Sequence, residues 1–267
     1  MTAIPSLGMG TFRLAGQQAY QAVLTALDCG YRHLDTAQIY ANEAEVGQAL
    51  QDSGVARQEV FLTTKVWLDN LHPHTFLSSV EESLAKLQVD AVDLLLIHWP
   101  DSSGQLAMET YLERLAEAKQ RGLSQHIGVS NFTNAQLSQA VSILGADMIL
   151  TNQVEVHPYL HNRQVIEHCQ QLGIQVTGYM PLAVSKVMRD PLLGQIAEAH
   201  QVSAAAVAIA WQLQQGLVTI PSSTRRANLL ANQQALTLRL SAQDMQAIAQ
   251  LDKGERIANP DFAPQWD

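Results

Sequence analysis

Short apolar runs alternate with helical-period runs along nearly the whole chain. The β-rich runs are Tyr31–Asp35, Val60–Lys65, Val92–His98, Gln125–Ser130, Met148–Gln153, Gln175–Tyr179 and Leu217–Pro221, with a further short strand expected near Ser6–Met9. Continuous apolar runs of this length suit strands of a parallel sheet covered on both faces. Between them, apolar positions recur at helical spacing: Tyr20, Val23, Leu24 and Leu27; Leu77, Val80, Leu84 and Leu87; Met108, Leu112, Leu115 and the alkyl stem of Lys119. Gly30, Gly54, Gly122, Gly173 and Gly216 fall where a helix gives way to a strand. A left-handed residue there satisfies the free carbonyls of the helix end, and glycine adopts that conformation without a Cβ clash. Ser241, with Asp244 three residues on, predicts the start of a last helix running to about Leu251.

Such alternation leaves two architectures, an open doubly wound sheet or a closed barrel. Eight strands over 267 residues favour a (β/α)8 TIM barrel, which typically takes about 250 residues, as a single domain spanning residues 1–267. No linker or low-complexity stretch interrupts the pattern. The tail Ala258–Asp267, with Phe262 and Trp266, is expected to lie as an irregular segment over the barrel mouth or side. Gly8-Met9-Gly10 is too short for a dinucleotide-binding glycine fingerprint.

A hydrophobic fraction of 47% supports a large core, and a charged fraction of 15% argues against disorder. The net charge of −9 is dispersed, with no basic cluster, so neither nucleic acid nor an anionic membrane is an expected partner. Cys29 and Cys169 read as buried free thiols of a reducing compartment. Met1–Gly10 lacks the features of a signal peptide, and no uncharged apolar stretch reaches about 18 residues. A soluble, cytoplasmic, monomeric protein is expected.

Active sites of α/β barrels lie at the C-terminal ends of the strands. There the predicted strands close on Asp35 (with Tyr40 five residues on), Lys65, His98, Ser130-Asn131, Asn152-Gln153, Tyr179 and Ser222. Each has a structural alternative taken singly: a helix cap, a solvated charge, a satisfied histidine, a core aromatic. Together they place a carboxylate, a phenol, an amine and an imidazole at one end of neighbouring strands. A phenol is a weak acid, with a pKa of about 10, and a nearby ammonium favours its ionisation. A carboxylate holds that ammonium charged, and an imidazole can orient a carbonyl oxygen. The set suits protonation of a developing alkoxide. No GxSxG elbow for acyl transfer is present, and Pro158 between His157 and His161 argues against a helical metal pair.

These residues stand in motifs that resemble the aldo-keto reductases. Gly30-Tyr31-Arg32-His33-Leu34-Asp35-Thr36-Ala37 to Tyr40, followed by Asn42-Glu43 and Val46-Gly47, is similar to that family's first signature. Leu62 to Trp67, Asp93 to Pro100, Ile127 to Phe132, Asn152 to Tyr159, Tyr179 to Leu182 and Ile220 to Thr224 follow in the family's order, so the resemblance covers the chain from about Gly8 to Trp266. Within the family, the short chain and the ending Phe262-Ala263-Pro264-Gln265-Trp266-Asp267 resemble the bacterial 2,5-diketo-D-gluconic acid reductases most.

The resemblance implies roles. Tyr40 is the implied general acid, Lys65 lowers its pKa, Asp35 pairs with Lys65, and His98 orients the substrate carbonyl. The implied cofactor is NADPH/NADP+. Ser130, Asn131 and Gln153 hold its carboxamide, Tyr179 stacks on the ring, and Leu182 runs along the pyrophosphate. Gly10, Thr11, Met180, Ser222, Ser223, Thr224, Arg225 and Asn232 complete the implied cofactor surface. The family's lysine after Ile-Pro is Ser222 here, its downstream arginine is Asn228, and its serine before Pro-Leu is Met180. Arg225 and Arg226 stand close enough in sequence to hold a 2′-phosphate, and an arginine fork suits one. Phe12, Tyr40, Trp67, His98 and Trp99 are the expected substrate contacts, with Trp266 as a further candidate for the wall. The implied substrates are small aldehydes, α-keto aldehydes such as methylglyoxal, and keto sugar acids. Two other readings use the same residues: a Schiff-base lyase with Lys65 as nucleophile, and a cofactor-binding regulatory subunit without turnover.

Overall fold

A computed structural model describes residues 4–267. Met1–Ala3, part of the start read above as lacking a signal peptide, lie outside the described residues. The chain opens with β1 (Met9–Gly10), α1 (Gly16–Asp28), β2 (His33–Asp35) and α2 (Glu43–Asp52). It continues with β3 (Phe61–Val66), α3 (Phe76–Leu87), β4 (Val92–Ile97), α4 (Met108–Gln120), β5 (Ser124–Ser130) and α5 (Asn134–Leu144). Then come β6 (Ile149–Glu155), α6 (Arg163–Gln171), β7 (Gln175–Tyr179), α7 (Pro191–His200), α8 (Ala204–Gln214) and β8 (Val218–Thr219). Two helices follow, α9 (Arg226–Gln233) and α10 (Ala242–Ala249).

All eight strands run parallel in the order β1 to β8. The ring closes through a parallel bridge between Leu7 and Thr219, with Gly8 N donating to Thr219 O at 2.9 Å and Thr219 N to Ser6 O at 2.8 Å. The predicted (β/α)8 barrel is therefore the observed one. The first strand sits later than Ser6–Met9, and β8 is shorter than Leu217–Pro221 because Pro221 has no N–H to continue a ladder. The five helix-end glycines have positive φ, from +70° at Gly54 to +92° at Gly30. Ser241 caps α10 in a reciprocal capping box with Asp244. Cys169 is buried, but Cys29, at the end of α1, is partly exposed and so departs from the buried reading.

Side chains alternate across each strand, and this decides what reaches the barrel mouth. On β4, Leu94 and Leu96 join Ile4, Phe61 and Val218 in a small cluster inside the barrel. Leu95 and Ile97 face the helices in the large outer core. Counting in twos along the inner face, Phe61 leads to Lys65 and Leu94 leads to His98. Gly128 lies on the same face: a Cβ there would come within 2.7 Å of Thr151 O and 2.9 Å of the Leu96 side chain. Two residues on from it stands Ser130. Thr151 and Thr177, hydrogen-bonded at 3.0 Å, lead in the same way to Gln153 and Glu155, and to Tyr179.

Gly47 shows how tightly the outer ring packs. A Cβ on it would lie 2.4 Å from Leu87 O and 2.7 Å from Leu87 Cα, so α2 approaches the end of α3 backbone to backbone. Alanine in a helix normally gains about 1 kcal/mol over glycine, but overpacking costs about 1–3 kcal/mol. Because the obstructing atoms are backbone, the clash should win. Gly47→Ala is expected to lower unfolding free energy by about 1–2 kcal/mol. Urea denaturation checks this; an unchanged or raised midpoint contradicts it.

Candidate active site

The mouth of the barrel encloses a cavity of about 640 Å³. At its closed end lie Asp35, Tyr40, His98, Ser130, Asn131, Gln153 and Tyr179, and its sides include Phe12, Trp67 and Trp99. Four residues predicted as catalytic are thus gathered at one place, although Lys65 stands behind the cavity surface and is fully buried.

Tyr40 ends a short 3-10 turn, Gln38–Tyr40, which follows β2. The amide of Gln38 fixes this turn: its oxygen accepts from Trp67 N at 2.8 Å and its nitrogen reaches Ser79 and Ser83 on α3. Asn42, fully buried, donates to Thr11 O and Leu14 O and accepts from the Thr36 hydroxyl. The Asn42-Glu43 part of the first signature is therefore a staple that seats the tyrosine turn. Phe12 packs on the Tyr40 ring with centroids 5.2 Å apart.

Lys65 Nζ donates to Asp35 Oδ1 at 2.5 Å and to Thr36 O at 2.7 Å. It lies 5.1 Å from the centre of the Tyr40 ring. The second Asp35 oxygen accepts from Gln153 Nε2 at 2.8 Å, a bond from β6 to β2 across the barrel. Ser130 donates to Gln153 O at 2.8 Å, Asn131 Nδ2 donates to His98 O at 3.0 Å, and the Tyr179 hydroxyl donates to Asn131 Oδ1 at 2.8 Å. Asn131 takes φ +62° to make these contacts. The ends of β2 to β7 are thus tied into one network.

Burial, and secondarily the Asp35 charge, pushes the Tyr40 phenol well above its usual pKa. Burial outweighs the lowering expected from Lys65, whose ammonium also pairs with Asp35. Burial also lowers the Lys65 pKa, against the opposing pull of Asp35. His98 is lowered well below the usual imidazole value by burial and then by Lys65. Its ring is therefore neutral, and Nδ1 is buried without a hydrogen-bond partner among the described residues. An unsatisfied buried acceptor is better tolerated than an unsatisfied N–H. The proton accordingly belongs on Nε2, which makes His98 a neutral donor.

The other predicted positions divide. Gly10, Met180, Leu182 and Ser222 line the cavity. Thr11 is fully buried and its hydroxyl holds Asp35 O at 3.0 Å. Ser223, Thr224 and Arg225 lie beyond Ser222 and outside the cavity lining, and Asn232 is buried on α9. Arg226 forms an exposed ion pair with Asp28, so of the two arginines only Arg225 is without a carboxylate partner among the described residues. Trp266 stands behind Trp99, with centroids 5.9 Å apart.

Sequence reasoning did not single out Arg13, Ile39, Val184, Ser185 or Ile257, all of which line the cavity, whereas Ala258, Asn259 and Pro260, which also line it, belong to the tail expected over the barrel mouth or side. Val184 and Ser185 have φ of +51° and +71°, a strained conformation for non-glycine residues. The run Met180-Pro181-Leu182 next to a strand end could have pointed to that loop. His157 and His161 are engaged separately, with Glu155 and with Pro158 O. Among the described residues no group of three or more His, Cys, Asp or Glu could hold a metal ion. No helix of the described residues is long and apolar enough to cross a membrane.

An eight-stranded parallel barrel with a phenol, a buried ammonium–carboxylate pair and a neutral imidazole at its mouth defines a class of oxidoreductase. The model of the aldo/keto reductase family matches residues 6–253, and the chain belongs to that family. It is 47% identical over 266 residues to the methylglyoxal reductase DkgB of Escherichia coli O157:H7, covering 99% of this chain and all of that protein. It is 35% identical to glycerol 2-dehydrogenase (NADP(+)) of Saccharomyces cerevisiae, covering 98% of this chain and 92% of that one. A crystal structure provisionally named a 2,5-diketo-D-gluconic acid reductase B superposes with a TM-score of 0.95 at 44% identity, over 99% of this chain and 94% of that one.

The pKa directions fix the expected pH behaviour. His98, lowered, has lost its proton before neutrality, and Tyr40, raised, keeps its proton beyond it. The kcat/KM for carbonyl reduction is therefore expected to be flat from about pH 6.5 to 8.5. A pH series measures this, and a titration step near the ordinary histidine value of about 6.5 contradicts it.

Proposed function

We propose that the chain is an NADPH-dependent reductase of small aldehydes, of α-keto aldehydes such as methylglyoxal, and of keto sugar acids, converting 2,5-diketo-D-gluconate to 2-keto-L-gulonate. In this reading residues 1–267 act as one catalytic barrel domain, as a monomer in the cytoplasm, with a small carbonyl compound as its partner. The observation that carries the proposal is the buried Lys65–Asp35 pair set against Tyr40, with neutral His98 on the same cavity.

The residues present fit a nicotinamide cofactor. The Ser130 hydroxyl, the Asn131 and Gln153 amides and the Tyr179 ring offer a carboxamide and an aromatic face their complements, and Gln153 commits only its nitrogen to Asp35. Leu182 and Ser222 extend the surface toward Arg225, whose exposed guanidinium suits a 2′-phosphate in place of the family's lysine. When bound, the cofactor supplies the hydride. The chain's own groups do the rest. His98 Nε2–H orients the carbonyl oxygen, and Tyr40, held protonated by burial, delivers its proton to that oxygen as negative charge develops. The Lys65 ammonium then stabilises the phenolate left behind, and Asp35 keeps Lys65 charged and in place. Lys65 is fully buried and off the cavity surface, which disfavours it as a Schiff-base nucleophile.

The test follows the loss of reduced-nicotinamide absorbance with methylglyoxal and with 2,5-diketo-D-gluconate, separately with NADPH and NADH. NADPH-dependent turnover is expected. Turnover with NADH alone contradicts the role given to Arg225. Tyr40→Phe is expected to retain NADPH binding by fluorescence titration and to lose about 10²–10⁴ in kcat; wild-type turnover in that variant removes the phenol from the mechanism.

A further inference from the structure

Glu43, the first residue of α2, is a buried carboxylate outside the cavity lining, and the chemistry described above leaves it without a part. An acid in the first turn of a helix meets the free N–H groups there, which favours its charge. Two hydroxyls from other elements reach it as well. Thr64, on the outward face of β3 and next to Lys65 in the chain, donates to Glu43 Oε1 at 2.6 Å. From α3, the Ser83 hydroxyl also hydrogen-bonds the carboxylate. The two helices come this close because residue 47, one turn after Glu43, is glycine. A Cβ there would lie 2.4 Å from the carbonyl oxygen of Leu87, one turn after Ser83. Burial raises the Glu43 pKa, and the hydrogen bonds from Thr64 and Ser83 oppose that rise.

Ser83 passes the constraint on. Its oxygen accepts from Gln38 Nε2 at 3.2 Å, so its single proton is free for Glu43. Gln38 opens the turn that carries Tyr40, and its own oxygen accepts from Trp67 N, so the amide cannot be reversed. One carboxylate is thereby tied to the neighbour of Lys65 on one side and, through Ser83 and Gln38, to the Tyr40 turn on the other. The charged and titratable groups around this point are few. Acting on Lys65 are Asp35 and His33 from β2, Tyr40 from its turn, His98 after β4, and Glu43. Glu43 has the exposed Lys86–Glu82 pair of α3 on its other side. After Asp35, Glu43 is the second negative charge that favours the Lys65 ammonium.

We infer that Glu43 is a positioning residue of carbonyl reduction, whose buried carboxylate holds the Tyr40 turn and the Lys65 strand at a fixed separation and adds a second negative charge behind the Lys65 ammonium. The inference rests on the reductase reading above and deepens it. Glu43 does not line the cavity and acts through Lys65 and Tyr40. Burial lowers the Lys65 pKa and raises that of Tyr40, so the first proton lost on the alkaline side is that of Lys65. Removing a neighbouring negative charge moves that loss to lower pH.

The experiment measures kcat, KM and the pH profile of kcat/KM for methylglyoxal with NADPH in the wild type, Glu43→Gln, Glu43→Asp and Ser83→Ala, with thermal midpoints alongside. Glu43→Gln keeps an acceptor for Thr64 and loses the charge. Its kcat is expected to fall about tenfold with KM unchanged, and its alkaline loss of activity to move to lower pH. Glu43→Asp keeps the charge on a side chain too short to span both hydroxyls, so kcat should fall while the alkaline loss stays at the wild-type pH. Ser83→Ala should lower kcat about threefold, the usual worth of one hydrogen bond, with no shift in pH. Wild-type kcat in Glu43→Gln, an alkaline loss that does not move in that variant, or one that moves equally in Glu43→Asp overturns the inference and leaves the reductase reading intact. If neither Glu43 variant folds, Ser83→Ala decides: a lowered kcat at an unchanged thermal midpoint supports the inference, and a wild-type kcat overturns it. Absence of methylglyoxal turnover by the wild type overturns the reductase reading and this inference with it.

Discussion

A lysine and an aspartate buried together at the mouth of the barrel set the terms for everything around them. Removing two charges from water costs several kcal/mol per ion, and mutual attraction offsets this only when their remaining hydrogen bonds are also made. Here they are. Lys65 has Asp35 and Thr36 O as acceptors, and Asp35 has Lys65 and the Gln153 amide as donors. Replacing such a pair with apolar residues is often neutral or stabilising, so the pair is better explained by chemistry than by stability. Its charge lies 5.1 Å from the centre of the Tyr40 ring, the phenol proposed as proton donor.

The same constraint explains the surrounding architecture. A network that must be fully satisfied needs rigid elements to hold it, and strand ends supply them. Alternation along the inner face carries Lys65, His98, Ser130, Gln153 and Tyr179 to one level, and the hydrogen bonds that run from β2 through β7 fix their spacing. Thr11 and Asn42 belong to this support and not to the cavity surface, because their polar atoms are consumed by backbone carbonyls. Other residues that line the cavity, among them Phe12, Val184 and Ile257, sit outside the network, on the loops and on the C-terminal segment.

This division also explains what could be read from the chain. The strands were legible because parallel strands buried on both faces leave continuous apolar runs, and the closing polar residue of each run marked the site. Asp35, Lys65 and His98 were picked out as candidates in that way, with Tyr40 five residues after the first of them. The first and last strands were placed less well, since two-residue ladders such as Met9–Gly10 and Val218–Thr219 leave almost no pattern. The tail from Ala258 was expected over the barrel mouth or side, but the way Ile257 and Ala258 are held was not legible, because it comes from Glu155, about a hundred residues earlier in the chain. The Arg226–Asp28 pair is equally invisible in one dimension. The direction of the Tyr40 pKa departs from the expected one for a related reason: an ammonium and its carboxylate partner can be read from motifs, but depth of burial cannot.

The central claim is that Asp35 acts on the reaction through Lys65 as a single unit. A double-mutant cycle tests it directly, by measuring kcat for methylglyoxal reduction in Lys65→Met, Asp35→Asn and the combined variant, with NADPH affinity measured alongside. If the two residues act as a unit, the combined variant loses no more than Lys65→Met alone. Losses that multiply independently would contradict the account.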